Sequence, residues 1–272
     1  MEIVKIFPVH IREALANDTW KAGLEEIRVR VGSPLEFIYG GESRYLPEHA
    51  RNEAGKKMLG TTSILLRGIP FIYQGQEIGM TNCIRNDISE YDDISTKDQY
   101  QVAIDAGCSR EEALRCCYEN SRDNARTPMQ WTDDENAGFT DGTPWLAMNP
   151  NYRQINVREQ EVRTDSVLAY YRRLVHLRKA DAYRETFTYG IFEPAYQERA
   201  DVFAYYRVSG ESGQRILVAA NFGTDAVSLP LAYPCRQVLL SNLRAESAVE
   251  TACEKANALT LGSCEVAVIE LG

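Results

Sequence analysis

The stretch Glu53–Gly75, EAGKKMLGTTSILLRGIPFIYQG, predicts a helix that leads directly into a buried strand. Over 53–67 the apolar residues recur at spacings of three and four, which places them on one helical face, and Gly68 follows as a natural helix stop. The short apolar run Ile69–Tyr73 is typical of a strand buried in a parallel sheet. Pro70 is tolerated because the first residue of a strand need not donate its N–H. This helix–strand unit predicts an α/β fold.

Three more helices are predicted downstream. They cover Ser95 to Ala106, Ser109 to about Glu119, and Ser166 to Lys179. Ser95, Ser109 and Asp165 are expected to cap them, because their side-chain oxygens can accept hydrogen bonds from the first N–H groups of a helix. Glu112 stands at the position that completes a capping box with Ser109.

A long loop is predicted between the last two of these helices. Residues 121–152 are rich in Asn, Asp, Gly and Pro. Loops of that length are usually functional or disordered, and Trp131 and Trp145 favour a functional loop, because disordered segments rarely carry tryptophan.

The pattern changes after residue 182 to short strands separated by turn residues. Such spacing predicts an antiparallel β-sandwich, and we place a domain boundary near residue 183. Residues 1–50 are mixed in character, and Ile11–Ile27 has a helical pattern. The predicted strands are Phe187–Phe192, Val202–Val208, Arg215–Phe222, Ala226–Leu231, Gln237–Ser241, Ala258–Leu261 and Val266–Leu271.

The formal net charge of -9 argues against polyanionic partners, because an acidic chain is repelled by nucleic acid backbones and by anionic membranes. No apolar run is long enough to span a bilayer, and the first residues lack the apolar segment of a signal peptide. The 7 cysteines form no Cys-x-x-Cys, and there are 3 histidines. We therefore expect no nucleic acid or membrane partner, no metal site, no cofactor, and buried free thiols in a cytoplasmic protein.

Residues 68–80, GIPFIYQGQEIGM, resemble the eighth barrel strand of glycoside hydrolase family thirteen, the α-amylase family. Residues 121–131, SRDNARTPMQW, together with 137–140, 144–145 and 148–152, resemble the oligo-1,6-glucosidase and α-glucosidase branch of that family, and 165–179 resembles its last barrel helix. The resemblance implies the C-terminal end of a (β/α)₈ barrel followed by an antiparallel β-sandwich domain. Residues 1–182 would be a partial barrel, poorly matched over 1–50, and residues 183–272 would be the sandwich.

Retaining glycosidases need two carboxylates about 5 Å apart, one as nucleophile and one as proton donor. Relatives carry the nucleophile in a Gly-x-Arg-x-Asp motif and a further Asp in an Asn-His-Asp motif. Neither motif occurs here, since His10, His49 and His176 are followed by Ile, Ala and Leu. We therefore assign no catalytic residue and expect this chain to be inactive alone.

The resemblance implies two substrate-binding residues, Arg122 and Glu77. Arg122 matches an arginine that lines the substrate pocket of relatives, and the alternative is that it holds a loop carboxylate such as Asp123. Glu77 follows the predicted barrel strand, where barrel enzymes build their sites, and its alternative role is to anchor a loop. Arg126 is expected to be structural. Ser95 stands where relatives often have a Glu that shapes the leaving-group side of the pocket.

The expected function is that of a retaining α-glucosidase, oligo-1,6-glucosidase-like, which acts on short α-glucosides and is present here as a fragment. Its partner would be an oligosaccharide substrate once the missing part of the barrel is supplied. One alternative is a non-catalytic carbohydrate-binding or interaction module derived from that family. Another is a fragment of a sucrose- or trehalose-converting enzyme. A barrel strand without its neighbours would leave N–H and C=O groups unpaired, so we expect aggregation or dependence on a partner.

Overall fold

The computed structural model describes residues 52–272 and, before them, the backbone of three strands. These strands are β1 (Leu24–Arg28), β2 (Glu36–Tyr39) and β3 (Glu42–Tyr45), which pair antiparallel in that order. The helix predicted over Ile11–Ile27 lies mostly outside the described residues, and it is wrong at 24–27, which belong to β1. The sequence IRVRV that starts at Ile27 alternates apolar and charged residues, and this alternation has the period of a strand.

The described residues contain seven α-helices. Ser109 and Glu112 form the predicted capping box of α3, which is confirmed. Two predicted caps are wrong by a short step: α2 begins after Asp93 rather than at Ser95, and α5 is capped by Ser166, whose Oγ accepts from the backbone N–H of Ala169 at 3.1 Å. The helices are α1 (Glu53–Ile64), α2 (Ile94–Asp105), α3 (Arg110–Asn120), α4 (Val157–Glu161), α5 (Val167–Lys179), α6 (Arg184–Thr188) and α7 (Glu246–Ala256).

The predicted antiparallel pairing of the last ninety residues is confirmed. A five-stranded sheet has the order β4-β5-β6-β10-β8, and β7 pairs with β9. One prediction is wrong here, because Phe187 lies in α6 rather than in a strand. Helix α7 was not predicted. Phe187 is fully buried, so tertiary packing overrides the strand preference of its neighbours. The strands are β4 (Ile191–Ala195), β5 (Val202–Val208), β6 (Arg215–Asn221), β7 (Val227–Pro230), β8 (Cys235–Ser241), β9 (Ala258–Leu261) and β10 (Val266–Leu271).

The five-stranded sheet is buried on both faces. On its central strand β6, Ile216 and Val218 share a core cluster with residues of α1 and α5. The alternate residues Leu217 and Ala219 share a second cluster with β7, β9 and α7. Side chains alternate between the faces of a strand, so a strand covered on both faces reads as the continuous apolar run that this sequence shows.

The C-terminal end of α1 is held by buried arginines. The last carbonyl groups of a helix have no partner within it, and cations near them are favourable. Arg178 of α5 donates to the carbonyl oxygens of Ile64 and Gly68, each at 2.6 Å. Arg207 of β5 donates to the carbonyl of Leu65 at 2.9 Å. These contacts fix the end of α1 to α5 and to the sheet.

Arg207 joins three segments, because it also donates to the carbonyls of Phe187 at 2.9 Å and Gly190 at 2.7 Å. Its side chain is fully buried, and this burial lowers the pKa of the guanidinium to about 10. On the same strand, Tyr205 donates its hydroxyl to the carbonyl of Thr62 at 2.9 Å. Polar side chains of β5 therefore bind α1, α6 and the turn before β4.

The strand predicted at Ile69–Tyr73 is not formed, so that prediction is wrong. None of the strands in the described ranges pairs with this segment. Ile69 is 82% exposed and Phe71 is 87% exposed. A strand requires a neighbour that satisfies its N–H and C=O groups, and apolar residues alone do not supply one.

Candidate substrate-binding site

Glu77 lies in a tight 3₁₀ turn, Gln76–Ile78, between two glycines with positive φ. Gly75 has φ 88° and Gly79 has φ 67°, a region that other residues adopt at a cost. Space also demands glycine, since a Cβ at Gly75 would lie 2.4 Å from the sulfur of Met80. The turn closes with a hydrogen bond of 2.9 Å from the Met80 N–H to the Gly75 carbonyl. The local sequence therefore presents Glu77 on a sharply reversed loop.

The turn is anchored to α4 and α5. Gln160 donates to the carbonyl of Ile78 at 2.7 Å and accepts from the N–H of Leu168 at 3.0 Å. Gln76 donates to the hydroxyl of Tyr171 at 3.3 Å. The position of Glu77 is thus set by its neighbours and not by its own carboxylate.

The Glu77 carboxylate itself is half-buried. Its Oε2 atom is buried and has no hydrogen-bond partner among the residues that the structure describes. Burial, with a smaller contribution from the negative charge of Glu77, raises the pKa of the neighbouring Tyr171 to about 12. Glu77 therefore offers an unused acceptor beside a neutral phenol.

Asp123 organises the second loop of the site. Its fully buried carboxylate accepts from the N–H groups of Asp92 at 2.7 Å and Asp93 at 3.0 Å. Thr96 joins the same cluster, since its hydroxyl bonds to the Asp93 carboxylate at 2.8 Å and to Ser121 at 2.9 Å. This network fixes the start of α2 against the 3₁₀ helix that holds Arg122.

Arg122 and Arg126 have different environments in that 3₁₀ helix, Arg122–Arg126. Arg126 pairs with Asp123 at 3.3 Å and lies 3.9 Å from Asp93, which is the structural role expected for it. Arg122 is exposed, and within residues 52–272 it makes no hydrogen bond or ion pair. The alternative in which Arg122 holds Asp123 is therefore not what the structure has, because Arg126 does so.

The long loop is ordered by amide side chains. Asn149 donates to the carbonyls of Thr81 at 3.0 Å and Asn82 at 2.9 Å. Asn151 donates to the Thr81 hydroxyl at 2.9 Å and accepts from Gln130 at 3.1 Å. These bonds join 148–152 to the loop that follows Glu77.

Aromatic side chains are exposed along the same loop. Trp145 is 68% exposed, Phe139 49% and Trp131 48%. The indole N–H of Trp145 donates to the Asp92 carboxylate at 3.2 Å, which orients the ring. Flat apolar faces with a polar edge suit contact with sugars. The two tryptophans were singled out in the sequence; Phe139 was not, because one phenylalanine in a loop carries no pattern.

The buried carboxylates of the described chain serve the fold. Asp93 and Asp123 are bonded as given above. Glu265 binds Arg244 at 2.6 Å and accepts from the N–H of Gly262 at 2.7 Å. Glu77 and Arg122 lie in two separate 3₁₀ segments, and within residues 52–272 no hydrogen bond or ion pair joins them.

Neither a metal cluster nor a membrane span is present in this part of the chain. No group of three or more His, Cys, Asp or Glu side chains there could hold a metal ion. No helix in the same ranges is both long enough and apolar enough to cross a bilayer.

Comparison with known proteins gives a family match over residues 42–189, to the model described as Alpha amylase, catalytic domain. That span is more than half of the 272 residues. The chain is 40% identical over 188 residues to the oligo-1,6-glucosidase of Bacillus cereus, which covers 69% of this chain and 32% of the relative. It is 38% identical over 217 residues to the oligo-1,6-glucosidase of Parageobacillus thermoglucosidasius, covering 78% and 37%.

Solved structures give the same picture. The isomaltulose synthase of Klebsiella sp. LX3 matches with a TM-score of 0.71 and 36% identity, covering 81% of this chain and 38% of that one. The trehalose-6-phosphate hydrolase of Bacillus licheniformis matches with a TM-score of 0.71 and 33% identity, covering 83% and 40%. The chain thus spans about a third of the length of these curated relatives.

Proposed function

Since the chain belongs to the α-amylase family, we propose that it is the C-terminal portion of a retaining α-glucosidase that acts on short α-glucosides. The substrate class follows the oligo-1,6-glucosidases that the chain resembles over about 190 to 220 residues. In this proposal an oligosaccharide is the partner, and the substrate-binding residues are Arg122 and Glu77.

The domain arrangement is part of the proposal. Residues before about 183 would form the end of a (β/α)₈ barrel, and 183–272 would form a C-terminal β-sandwich. The five-stranded sheet and the two-stranded sheet β7–β9 share one core cluster, which supports the sandwich. The exposed apolar side chains at 69–73 support the barrel end, because apolar residues exposed to this extent are expected to pack against another part of the fold.

The observation that carries the site is the contrast between Arg122 and Arg126. Asp123 accepts from Arg126 and from two backbone N–H groups, whereas the neighbouring Arg122 forms no bond with it. A guanidinium donates a fork of hydrogen bonds, which suits two adjacent sugar hydroxyls. Arg122 would therefore orient the sugar, and the open acceptor of Glu77 would hold the pocket wall or a hydroxyl.

Bond cleavage would use groups outside this chain. Retention requires a nucleophile and a proton donor about 5 Å apart on opposite sides of the bond. The buried carboxylates Asp93, Asp123 and Glu265 are committed to the fold. The 272 residues would thus bind and orient sugar without hydrolysing it.

A second candidate is a portion of a sucrose- or trehalose-converting enzyme. Isomaltulose synthase and trehalose-6-phosphate hydrolase each match this chain with a TM-score of 0.71, at 36% and 33% identity. These identities are close to the 40% and 38% of the two oligo-1,6-glucosidases. Ser95, near the start of α2, is the residue that leaves the linkage open, since it replaces a Glu often found in relatives.

A chimera tests the proposal. The matched C-terminal portion of the Bacillus cereus oligo-1,6-glucosidase is replaced by this chain's, and hydrolysis of p-nitrophenyl α-glucoside, isomaltose and sucrose is measured. We expect turnover of the first two, and a loss of kcat/KM of roughly tenfold or more in Arg122→Met, the size of one charge-assisted hydrogen bond pair. Arg184→Met is the matched control, because Arg184 is 67% exposed and pairs with Asp181, which is 95% exposed.

Four outcomes would count against the proposal. Equal kcat/KM in the Arg122 and Arg184 variants would remove Arg122 from the site. A folded chimera that turns over sucrose alone would favour the second candidate. Hydrolysis by the 272-residue chain by itself would show that it owns its catalytic carboxylates, and binding without turnover in a folded chimera would favour a non-catalytic carbohydrate-binding module.

A further inference from the structure

Arg85 is a buried cation whose donors are mostly unused. It lies in the loop between the Gln76–Ile78 turn and α2 and is 3% exposed. Its Nη1 reaches the carbonyl of Cys83 at 3.5 Å, which is the outer limit of a hydrogen bond. Its Nε and Nη2 are buried and have no partner among the residues the structure describes. Buried arginines elsewhere in this protein, such as Arg178 and Arg207, have short bonds to carbonyls.

The charge of Arg85 is also unbalanced. Within residues 52–272 no carboxylate forms an ion pair with it. Its guanidinium carbon lies 5.1 Å from the ring centroid of Tyr91, and this cation–π contact attracts the charge but uses no N–H in a bond. Taking an ion out of water is costly unless it is paired and hydrogen-bonded. The fold therefore leaves a positive charge that needs a counter-charge.

Tyr91 adds a third unused donor. Its side chain is 1% exposed, and its hydroxyl has no hydrogen-bond partner in the described chain. Burial raises the pKa of Tyr91 to about 12, so the phenol is protonated at neutral pH and can donate. Arg85 and Tyr91 thus form one cluster with three buried donors and a positive charge.

Among the residues that the structure describes, no acceptor bonds to these three donors. The thiols of Cys83 and Cys117 line the cluster, and burial raises the pKa of both, so they are neutral. Each thiol already points to a carbonyl, that of Met148 at 3.8 Å and that of Thr96 at 3.9 Å. The closest carboxylate that influences Tyr91, Glu90, is exposed and accepts from the N–H groups of the turn it caps.

We propose that Arg85 and Tyr91 bind a small monovalent anion of the size and charge of chloride. The Nε and Nη2 of a guanidinium form the fork that binds anions, and a single negative charge would balance the single positive one. The burial of both side chains limits the occupant to a small ion. A bound water would satisfy the donors and leave the charge uncompensated. This site is separate from Arg122 and does not rest on the proposed function.

The test measures anion binding to the full chain. The broadening of the ³⁵Cl NMR line by the protein is recorded in sodium chloride. The melting midpoint is compared between sodium chloride and sodium gluconate at equal ionic strength, since gluconate is too large for the site. We expect chloride-specific broadening and a higher midpoint in chloride, both lost in Arg85→Met. Tyr91→Phe keeps the ring, removes one neutral donor, and should weaken chloride binding about three- to tenfold.

Arg110→Met is the matched control, because Arg110 is 61% exposed and pairs with Asp87 at the surface of the same region. It should retain the chloride response. No broadening of the ³⁵Cl line by the unaltered chain, together with equal melting midpoints in the two salts, would overturn the proposal and leave water as the occupant. An undiminished response in Arg85→Met would overturn it as well. If Arg85→Met fails to fold, the unaltered chain and Tyr91→Phe still decide the matter.

Discussion

Replacing Arg207 by Met should destabilise the fold by an amount that the structure sets. The substitution removes the bonds to three buried carbonyls, those of Leu65 at 2.9 Å, Phe187 at 2.9 Å and Gly190 at 2.7 Å. A buried polar group left without a partner costs about 1–3 kcal/mol, so the three together cost roughly 3–9 kcal/mol.

The loss of the buried charge works in the opposite direction. Burial lowers the pKa of Arg207 from its ordinary 12.5 to about 10. A shift of that size corresponds to a desolvation cost of roughly 3 kcal/mol, which Met does not incur. Subtracting this cost from the range above gives an expected net loss in the free energy of unfolding of about 0–6 kcal/mol, with a midpoint near 3 kcal/mol.

Urea unfolding followed by circular dichroism measures this loss directly. Arg184→Met is the control, since Arg184 lies in α6 three residues before Phe187. It should change the free energy of unfolding by less than about 0.5 kcal/mol because its ion pair is exposed. An Arg207→Met variant whose free energy of unfolding is within about 0.5 kcal/mol of the unaltered chain's would contradict this prediction, since the carbonyl contacts would then do no more than cancel the cost of desolvation.

Three further predictions follow from the packing and titration of named groups. Gly60→Ala should destabilise α1 by about 1–3 kcal/mol in a thermal melt, although Ala favours a helix, because its Cβ would lie 2.6 Å from the buried ring of Tyr171; an unchanged midpoint would contradict this. Burial raises the folded-state pKa of Tyr171 to about 12 and also raises that of Tyr205. The contribution of each protonated phenol to the free energy of unfolding is therefore complete below pH 10 and falls above it, by up to about 1.4 kcal/mol per pH unit. Tyr171→Phe should flatten the curve of unfolding free energy against pH between pH 10 and 11. Asp123→Asn should lower the free energy of unfolding by about 2–4 kcal/mol, since the Asn side chain offers one acceptor oxygen and no charge to Arg126. Hydrogen exchange of the two backbone N–H groups bonded to Asp123 should become faster, and unchanged protection would show that Asp123 does not hold these segments together.

The strand-rich tail could be predicted closely because its physics is local. Apolar runs such as that of β6 have the composition of strands covered on both faces, and turn residues mark their ends. The capping box at Ser109 and Glu112 was equally visible, since both residues lie within one helical turn.

Other features depend on contacts between distant residues and could not be predicted. The apolar run at Ile69–Tyr73 has the composition of a strand, yet pairing decides whether a strand forms. Arg122 and Arg126 differ by four positions in the same motif, and the position of Asp123 decides which of them is free. Arg85 could not be singled out, because nothing local indicates that its side chain is buried.

Under the proposed function, the nucleophile for glycoside cleavage lies outside this chain. A fluorinated α-glucosyl fluoride traps the covalent glycosyl intermediate of retaining enzymes, and intact-mass spectrometry detects the adduct. We expect an unchanged mass for this chain under conditions that fully label an intact retaining α-glucosidase. One fluoroglucosyl group attached to an Asp or Glu of this chain would contradict it.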